Sequence, residues 1–406
     1  VVKQGAPIAS LEASKSVFEL TSPFSGTVEK VSAAAGQTLR VGEPLVVLRS
    51  DTTSTQRKPL VKEDPGIPVL TRRAESTTLR LVPRDSRPRQ FEVGVSSVVA
   101  VTGSRTVRNE EFLHAGNGMT SDDIIKRTGI ESRHWAAPGE SAAGMAVKAS
   151  RELLERERLL LDDLDLVICS TTSPTVVTPS LACQVLAGLG NGRTDAMLQA
   201  FDISAACSGY LYALQAGYDF LQSRPDGRVL LVTAEVLSPL VDMNDFDTAI
   251  LFGDAASATI LYGESHFERA RARLLRPELS AKGEDGQALS IPFHQGGHIH
   301  MKGQKVFSEA VRAMVSSLTR LCDHRGLLIR DLKLVVPHQA NQRILDAVQS
   351  RIQVPVFSNI RQNGNTSSSS IPLCLTEVLE SAAAGDHVGL CAFGGGFTFG
   401  AGILQK

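Results

Sequence analysis

The stretch ISAACSGYLYALQAGYDFL, residues 203–221, places one cysteine among small residues at the start of a long apolar segment. The length and apolar character of this segment predict a helix that begins close to Cys207. A strand-like run, RVLLVTAEV, follows at residues 228–236. A helix that leads into a buried strand is typical of α/β domains. The thiol is open to three interpretations: a packing residue, a disulfide partner or a nucleophile.

The same order of elements occurs twice in the chain. Residues 146–172, AVKASRELLERERLLLDDLDLVICSTT, match residues 310–339, AVRAMVSSLTRLCDHRGLLIRDLKLVVPHQ, as a helix, a turn and a buried strand. The helix and strand after Cys207 likewise match those after Asn365, which lead through AAAGDHVGLCAFG. Both pairs are offset by roughly 160 residues, which is too long for a solenoid repeat and fits a duplicated domain. We therefore predict two α/β halves, residues 91–265 and 266–406.

The first quarter of the chain has a different composition. Residues 1–50 alternate apolar and polar side chains with glycines between them, which predicts short strands and turns. Residues 51–90 are rich in threonine, serine, arginine and proline. A segment of that composition cannot build a core, so we predict a linker.

Composition excludes several classes of function. The 42 lysines and arginines nearly balance the 43 aspartates and glutamates, so no global field attracts nucleic acid or a membrane surface. No run approaches the roughly 18 apolar residues that a membrane span requires. The six cysteines show no CxxC spacing, and five lie in apolar runs, where a reduced cysteine packs as a small hydrophobe. This usage predicts a reducing, cytoplasmic location and makes the disulfide the weakest interpretation of Cys207.

Three polar residues are predicted to meet at one edge of the sheet. Cys207 lies at a helix N-terminus, where the helix dipole and free N–H groups favour a thiolate. A thiolate attacks thioesters well and leaves well, which suits acyl transfer. His338 follows the strand-like run LKLVV, and Asn365 precedes the corresponding helix of the second half. Strand carboxyl ends and helix amino ends converge on one crevice in open α/β sheets.

Four segments, ACSGY, PHQAN, NGNTSSSSIP and AFGGGFTFGA, occur in the order and spacing of ketoacyl-acyl-carrier-protein synthase III. TSDDIIKRTGIESRHWAAPGE and LFGDAASATIL are similar to the same family, so the resemblance covers residues 91–406. It implies the thiolase fold, an internally duplicated five-layered α/β/α/β/α architecture, and a homodimer. It also implies an acyltransferase that forms a carbon–carbon bond between acyl thioesters in fatty-acid or polyketide-type biosynthesis, with an acyl carrier protein as partner.

Carried over by position, the resemblance makes Cys207 the acylated nucleophile. His338 and Asn365 would donate hydrogen bonds to the carbonyl of the second thioester and stabilise its enolate, as a transition state with a developing oxyanion requires. The backbone N–H groups of Cys207 and Gly395 would form an oxyanion hole for acyl transfer. A non-condensing acyltransferase or a binding scaffold remains the alternative, and a C–C-linked product would separate them.

One departure from the family concerns the substrate carrier. Members that use coenzyme A stack its adenine between a tryptophan and an arginine, where this chain has Ile124 and Phe246. The stacking partners are missing, although Arg127 remains at a position that binds the pantetheine diphosphate. We therefore expect substrates on carrier proteins.

Acidic carrier proteins require a basic rim around the tunnel. Arg343 is the first candidate, followed by Lys302 and Lys305. Thr178 stands where some members carry a bulky aromatic residue that limits the primer, so a longer acyl chain is expected to fit.

The segment LEASKSVFELTSPFSGTV resembles the hairpin of a lipoyl or biotinyl carrier domain, with Lys15 at the position of the modified lysine. The first strands of that family would precede Val1. Lipoyl or biotinyl attachment at Lys15 is one interpretation. The other is an unmodified docking or dimer-contact domain, because condensation requires neither group and no other cofactor.

A lipoyl-like domain before a synthase III-like enzyme resembles the ketosynthases that join and cyclise two acyl thioesters to cyclohexanedione precursors of dialkylresorcinols. Cyclisation would need a further polar group in the tunnel, for which Arg361 and Glu235 are candidates. The run HQGGHIH, with His294, His298 and His300, lacks a carboxylate or thiolate beside it, so no metal site is predicted.

Overall fold

The computed structural model describes residues 2–3, 6–13, 16–22, 25–32, 46–50, 90–115, 118–190, 198–292 and 297–406. The chain divides into two compact units, Val1–Arg84 and Asp85–Lys406. In the first unit, β1 (Pro7–Ala13) pairs antiparallel with β2 (Ser16–Thr21), and β3 (Gly26–Val31) pairs antiparallel with β4 (Val46–Ser50). These strand pairs agree with the expected small β domain. Lys15 and residues 51–89 of the predicted linker lie outside the described residues.

The second unit alternates strands and helices, as its sequence predicts. Its strands are β5 (Gly94–Thr102), β6 (Arg105–Arg108), β7 (Ser132–Trp135), β8 (Leu166–Ser170), β9 (Gln199–Ile203), β10 (Arg228–Glu235), β11 (Ala255–Tyr262), β12 (Ala272–Ala281), β13 (Leu289–Ser290), β14 (His300–Met301), β15 (Leu332–Pro337), β16 (His387–Gly394) and β17 (Thr398–Gln405). Its helices are α1 (Ser121–Thr128), α2 (Ala142–Glu157), α3 (Leu181–Leu189), α4 (Gly209–Ser223), α5 (Phe246–Ala249), α6 (Gly303–His324), α7 (Gln342–Ile352), α8 (Ile360–Asn363) and α9 (Ser370–Ser381). The helix predicted after Cys207 is α4.

The strand order confirms the predicted duplication. Nine strands form one sheet in the order β15-β16-β17-β12-β5-β11-β10-β8-β9. The first half reads β9-β8-β10-β11-β5 outward to inward. The second half repeats this order as β15-β16-β17-β12, with Val356 bridging Val335 in the place of the outermost strand. The boundary expected between residues 265 and 266 falls in the 3-10 segment Glu264–Arg269, just before β12.

The helices form the outer and central layers of the fold. α2 and α3 pack on the strands of the first half, and α6 and α7 cover those of the second. α4 packs on β10 and β8 and also on β12, while α9 packs on β5 and β15, so this pair lies between the two halves. Leu211 and Leu214 of α4 are fully buried there. Truncating either to alanine would cost about 2–5 kcal/mol, so the helix behind Cys207 is firmly held.

Candidate active site

Cys207 lies in a single 3-10 turn, Ala206–Ser208, that leads directly into α4. Two hydrogen bonds fix this turn to the start of β17. Ser208 Oγ donates to the carbonyl of Thr398 at 2.9 Å, and Thr398 Oγ1 donates to the carbonyl of Ala205 at 2.8 Å. The thiol is therefore placed at the mouth of the helix by contacts from the opposite half of the fold.

The glycine-rich segment after β16 approaches the same turn closely. A Cβ on Gly394 would lie 2.6 Å from the backbone nitrogen of Cys207 and 3.0 Å from the Cβ of Ala206. Only glycine allows this approach without displacing the turn. The next residue, Gly395, lines the cavity that Cys207 also lines. We expected the backbones of Cys207 and Gly395 to be neighbours, and both residues line the same cavity.

His338 and Asn365 enter the site from the second half. His338 directly follows β15, is 2% exposed, and places Nδ1 2.7 Å from the hydroxyl oxygen of Ser370. Asn365 is 6% exposed, and its Oδ1 accepts a hydrogen bond of 2.9 Å from the backbone nitrogen of Ser367. With Oδ1 occupied, the amide nitrogen of Asn365 is the group left to act as a donor.

One cavity of about 680 Å³ joins these residues. Cys207, His338, Asn365 and Gly395 all line it, as the convergence of strand and helix ends predicts. Much of the remaining wall is apolar, with contributions from Phe252, Ile299, Met301, Phe307, Met314 and Ile344. A cavity of this size and lining fits an apolar chain with a reactive head group.

The resting thiol is protonated at neutral pH. Burial raises the pKa of Cys207 to about 12, a nearby Glu235 carboxylate adds to the rise, and a hydrogen bond with Ser367 opposes it. Burial thus opposes the effect of the helix mouth, which favours a thiolate. Burial lowers the pKa of His338 to about 4, against a hydrogen bond to the Ser367 backbone, so the imidazole is neutral.

The run of serines after Asn365 makes contacts around Cys207 and His338 that the sequence did not reveal. Ser367 Oγ lies 3.6 Å from Cys207 Sγ and 3.2 Å from Glu235 Oε1, and Ser368 Oγ lies 2.7 Å from the same oxygen. Ser370 contacts His338 as described. Four consecutive small polar residues in an otherwise apolar helix start are the signal that could have identified them.

The adenine-stacking positions of the family are altered as the sequence indicates. Ile124 is fully buried in the core, so its side chain offers no face to a ligand. Arg127 pairs with Asp247 at 3.0 Å, and its guanidinium carbon lies 6.0 Å from the centre of the Phe246 ring. A planar cation is thus present beside Phe246, contrary to the expectation that none remains, but the opposite wall of a sandwich is missing.

The cations expected around the tunnel differ in their surroundings. Arg343 is exposed, and its guanidinium carbon lies 5.9 Å from the ring of Phe307, a cavity-lining residue. Lys302 is exposed at the start of α6. Lys305 forms an ion pair with Asp285, which offsets its charge. Arg343 therefore remains the first candidate for the basic rim.

Three candidates lie away from the cavity surface. Arg361 is wrong as a tunnel residue, because its side chain is 68% exposed and its Nε donates to Glu131 at 2.6 Å. Thr178 is exposed and does not line the cavity of the single chain. Glu235 is fully buried behind Ser367 rather than in the tunnel wall.

Among the described residues, the remaining motifs form no second centre. His298 Nδ1 lies 3.9 Å from Asp242, His300 is exposed in β14, and His294 lies outside the described residues. Within the described ranges, no group of three histidine, cysteine, aspartate or glutamate side chains is placed to hold a metal. In the same part of the chain, no helix has the length and apolar character needed to cross a membrane.

Three family models match the chain. Residues 201–283 match 3-oxoacyl-[acyl-carrier-protein] synthase III, residues 322–406 match the C-terminal part of that enzyme, and residues 1–48 match the biotin/lipoyl model described as biotin-requiring enzyme. The last match confirms the resemblance of the first unit to a lipoyl-like domain.

Individual proteins match the second unit over most of its length. The β-ketoacyl-[acyl-carrier-protein] synthase III of Desulfotalea psychrophila is 36% identical over 304 residues, covering 70% of this chain and 91% of the relative. The crystal structure of 3-oxoacyl-[acyl-carrier-protein] synthase III from Aquifex aeolicus is 34% identical, with a TM-score of 0.71 over 77% of this chain and 100% of that one. The priming β-ketosynthase of the R1128 polyketide pathway is 29% identical, with a TM-score of 0.70 over 79% and 98%.

Such similarity, together with the duplicated fold and its shared cavity, defines a condensing enzyme with the thiolase fold. The chain belongs to the β-ketoacyl-[acyl-carrier-protein] synthase III family and carries a lipoyl-like domain at its N-terminal side.

Proposed function

We propose that the chain transfers an acyl group to Cys207 and condenses it with a second, carrier-protein-bound thioester. The observation that carries this proposal is the presence of Cys207, His338, Asn365 and Gly395 on the wall of one apolar cavity. Acyl transfer requires a nucleophile and an oxyanion hole, which we assign to Cys207 and Gly395. Condensation requires donors to an enolate oxygen, which we assign to His338 and Asn365.

In the first half-reaction, Cys207 Sγ attacks the carbonyl carbon of an acyl thioester and the pantetheine thiol leaves. The carbonyl oxygen gains charge as the tetrahedral intermediate forms, so donors aimed at it lower the barrier. The backbone N–H groups of Cys207 and Gly395 are the proposed donors. The close approach at Gly394 supports this pairing, because it holds the two backbones side by side.

In the second half-reaction, His338 and Asn365 bind the carbonyl oxygen of the other thioester. Ser370 Oγ lies 2.7 Å from Nδ1 of His338, and we assign the hydroxyl as the donor. The neutral imidazole then carries its proton on Nε2 and acts as a donor. The amide nitrogen of Asn365 is the second donor. Together they stabilise the enolate formed on decarboxylation. The enolate carbon then attacks the acyl carbonyl on Cys207, the C–C bond forms, and the thiolate leaves.

Carrier-protein-bound substrates are the proposed donors, because the buried Ile124 removes one wall of an adenine sandwich. Arg343, exposed beside the cavity-lining Phe307, supplies a contact for an acidic carrier protein.

The proposed chemistry uses protein groups alone, so it requires no prosthetic group. The lipoyl-like domain then serves as a docking or contact domain, with Lys15 unmodified.

A homodimer in the cytoplasm is the proposed working form. All six cysteines belong to the described residues and are free thiols, which favours a reducing compartment. The outermost strand β9 exposes Phe201, and Val177 in a nearby loop is 73% exposed. An edge strand with exposed apolar neighbours suits pairing with a second copy. Elution as a monomer at working concentration would contradict the dimer.

Intact mass after incubation with one acyl group, offered on carrier protein or on coenzyme A, tests the proposal. Cys207→Ala removes the nucleophile, and Cys183→Ala is the matched control because Cys183 is the exposed free thiol. Acyl mass gained from carrier protein, lost in Cys207→Ala and kept in Cys183→Ala is the expected result. Equal loading from coenzyme A would contradict the proposed donor, and no loading across several chain lengths would contradict the function.

A further inference from the structure

The thiol of Cys207 needs a partner that accepts its proton before it attacks a thioester. His338 is poorly suited, because its Nδ1 already contacts Ser370 and its proposed role requires it to remain a donor. The hydroxyl oxygen of Ser367 lies 3.6 Å from Cys207 Sγ. Ser367 Oγ also lies 3.2 Å from Glu235 Oε1. The three groups form a continuous line from sulfur to carboxylate.

We propose that Ser367 relays the thiol proton of Cys207 to the buried carboxylate of Glu235. The relay rests on the proposed acyl transfer to Cys207. Ser367 touches the reacting sulfur and is a catalytic residue, whereas Glu235 acts through Ser367 and is a positioning residue that stores the proton. A serine hydroxyl has one donor and two acceptor positions, which allows it to accept from sulfur while donating to the carboxylate.

The proton balance of the step is simple. The S–H bond breaks and its proton passes to Ser367 Oγ, while the hydroxyl proton of Ser367 passes to Glu235 Oε1. The electron pair left on Cys207 Sγ forms the bond to the thioester carbonyl carbon. When the tetrahedral intermediate collapses, the pantetheine thiolate leaves, and the proton returns through Ser367 to neutralise it. No oxidant, reductant or further reactant is needed.

The backbone holds the relay hydroxyl in place. Ser367 has a φ of +49°, in the left-handed region that residues other than glycine seldom adopt. The strain is maintained by the hydrogen bond from its backbone nitrogen to Asn365 and by its position in the turn Ser367–Ser369. Such strain in a site is commonly part of its mechanism.

The surroundings of Glu235 are polar but carry little charge. Its Oε2 accepts hydrogen bonds from the backbone and hydroxyl of Thr172 and from Ser173, all at 3.0–3.1 Å. In the described parts of the chain, no lysine, arginine or histidine pairs with this carboxylate. Burial raises its pKa, an effect that the hydrogen bonds of Ser368 and Thr172 oppose. A carboxylate in this state holds a transferred proton more readily than an exposed one.

The neighbouring elements contribute few other titratable groups. β8 carries Cys169, whose pKa burial raises well above its ordinary value. Asp254 lies just before β11. Its carboxylate oxygens already accept hydrogen bonds from Leu237, Ser238 and the backbone nitrogen of Ala136. α2 packs on β10 through apolar side chains. Cys207 is therefore the titratable group to which Glu235 is coupled.

The pH profile of Cys207 alkylation by iodoacetamide tests the relay. With the relay intact, the proton moves within the site, so the thiolate fraction is constant and the rate is flat between about pH 6 and pH 9. Without it, the thiol must lose its proton to solvent, and the rate rises about tenfold per pH unit. We expect a flat profile for the native chain and a rising one for Glu235→Gln and Ser367→Ala.

Ser368→Ala is the matched control. Ser368 donates to the same Glu235 oxygen, whereas the hydroxyl that contacts the sulfur belongs to Ser367, so the loss of Ser368 should leave the profile flat. Ala206 adopts the same left-handed backbone as Ser367, with a φ of +47°, which indicates that alanine is tolerated in such a turn. Ser367→Ala therefore keeps the test usable where Glu235→Gln does not fold. Alkylation is read on the peptide that contains Cys207.

Two outcomes would overturn the relay. One is a rising profile in the native chain, and the other is a native-like flat profile in both Glu235→Gln and Ser367→Ala. The acyl-loading experiment separates this failure from that of the proposed function, because a native chain that loads Cys207 while showing either outcome retains its activity and loses only the relay. Acyl loading in Ser367→Ala should be slowed relative to the native chain.

Discussion

Ala206 and Ser367 occupy equivalent places in the two halves of the fold. Each begins a 3-10 turn that leads into a helix of the central layer, and their φ angles are +47° and +49°. The first turn presents the thiol of Cys207, and the second presents the hydroxyl that faces it. Duplication has thus produced two similar turns, one with the nucleophile and one with its polar partner, across a single cavity.

Removal of either proposed enolate-stabilising donor should separate the two half-reactions. His338→Ala and Asn365→Ala are expected to lower the rate of C–C bond formation by about 10²–10³-fold, the usual cost of losing one donor to a developing oxyanion. Acylation of Cys207 should persist in His338→Ala, because its oxyanion hole is formed by other groups. Asn365→Ala also removes the acceptor of the Ser367 N–H and should slow loading as well. Loading by intact mass and product by chromatography measure the two steps.

A loss of loading equal to the loss of condensation in His338→Ala would contradict this division of roles. Cys183→Ala serves as the control, since its thiol is exposed and outside the cavity.

The sequence was sufficient for the residues that strand and helix ends position. Cys207 and His338 each lie next to the end of a regular element, and the topology of an α/β sheet brings such ends together. Side-chain direction in irregular segments was not accessible in this way. Arg361 is close to Asn365 in sequence, but the short helix α8 turns it outward to Glu131. Its proximity in sequence did not translate into a place in the tunnel.

Burial was the second property that motif matching could not supply. The helix mouth predicts a thiolate at Cys207, whereas the enclosed position of the sulfur reverses the expected direction of its pKa. Desolvation depends on every residue around the site, many of them distant in sequence. The proposed role of the Ser367 hydroxyl, as acceptor of the Cys207 proton, was equally inaccessible. It depends on the φ angle of +49° at Ser367, which no sequence pattern specified.

The contact at Gly394 should be intolerant of any side chain. Gly394→Ala would place a Cβ 2.6 Å from the backbone nitrogen of Cys207, so the turn or the glycine segment must shift. Because the oxyanion donors lie in these two segments, we expect at least a tenfold loss of acyl loading, within the range for one lost donor. Gly283→Ala is the control, because nothing lies within 4 Å of the added atom. Equal loading in both variants would contradict the proposed oxyanion hole.

The buried imidazole of His338 should make the fold sensitive to acid. Its pKa falls from 6.5 to about 4 on burial, so between those values the unfolded chain binds the proton more strongly. Stability then rises with pH across this window and is lost as pH falls through it. The contribution is on the order of 3 kcal/mol. Urea midpoints should fall from neutral pH to about pH 4.5 less steeply in His338→Asn than in the native chain, and parallel curves would contradict the buried neutral state.

Arg343 should act on carrier-protein binding and leave the chemistry unchanged. Its guanidinium is exposed beside the cavity-lining Phe307, where it can meet an acidic carrier protein. For Arg343→Glu we expect KM for a carrier-borne substrate to rise about tenfold at low ionic strength, as like charges then face each other. The rise should shrink near physiological salt, where the Debye length is about 8 Å. Arg361→Glu, also exposed but away from the cavity, is the matched control. A change in kcat rather than KM, or the same effect in the control, would show that the rim at Arg343 does not select the carrier.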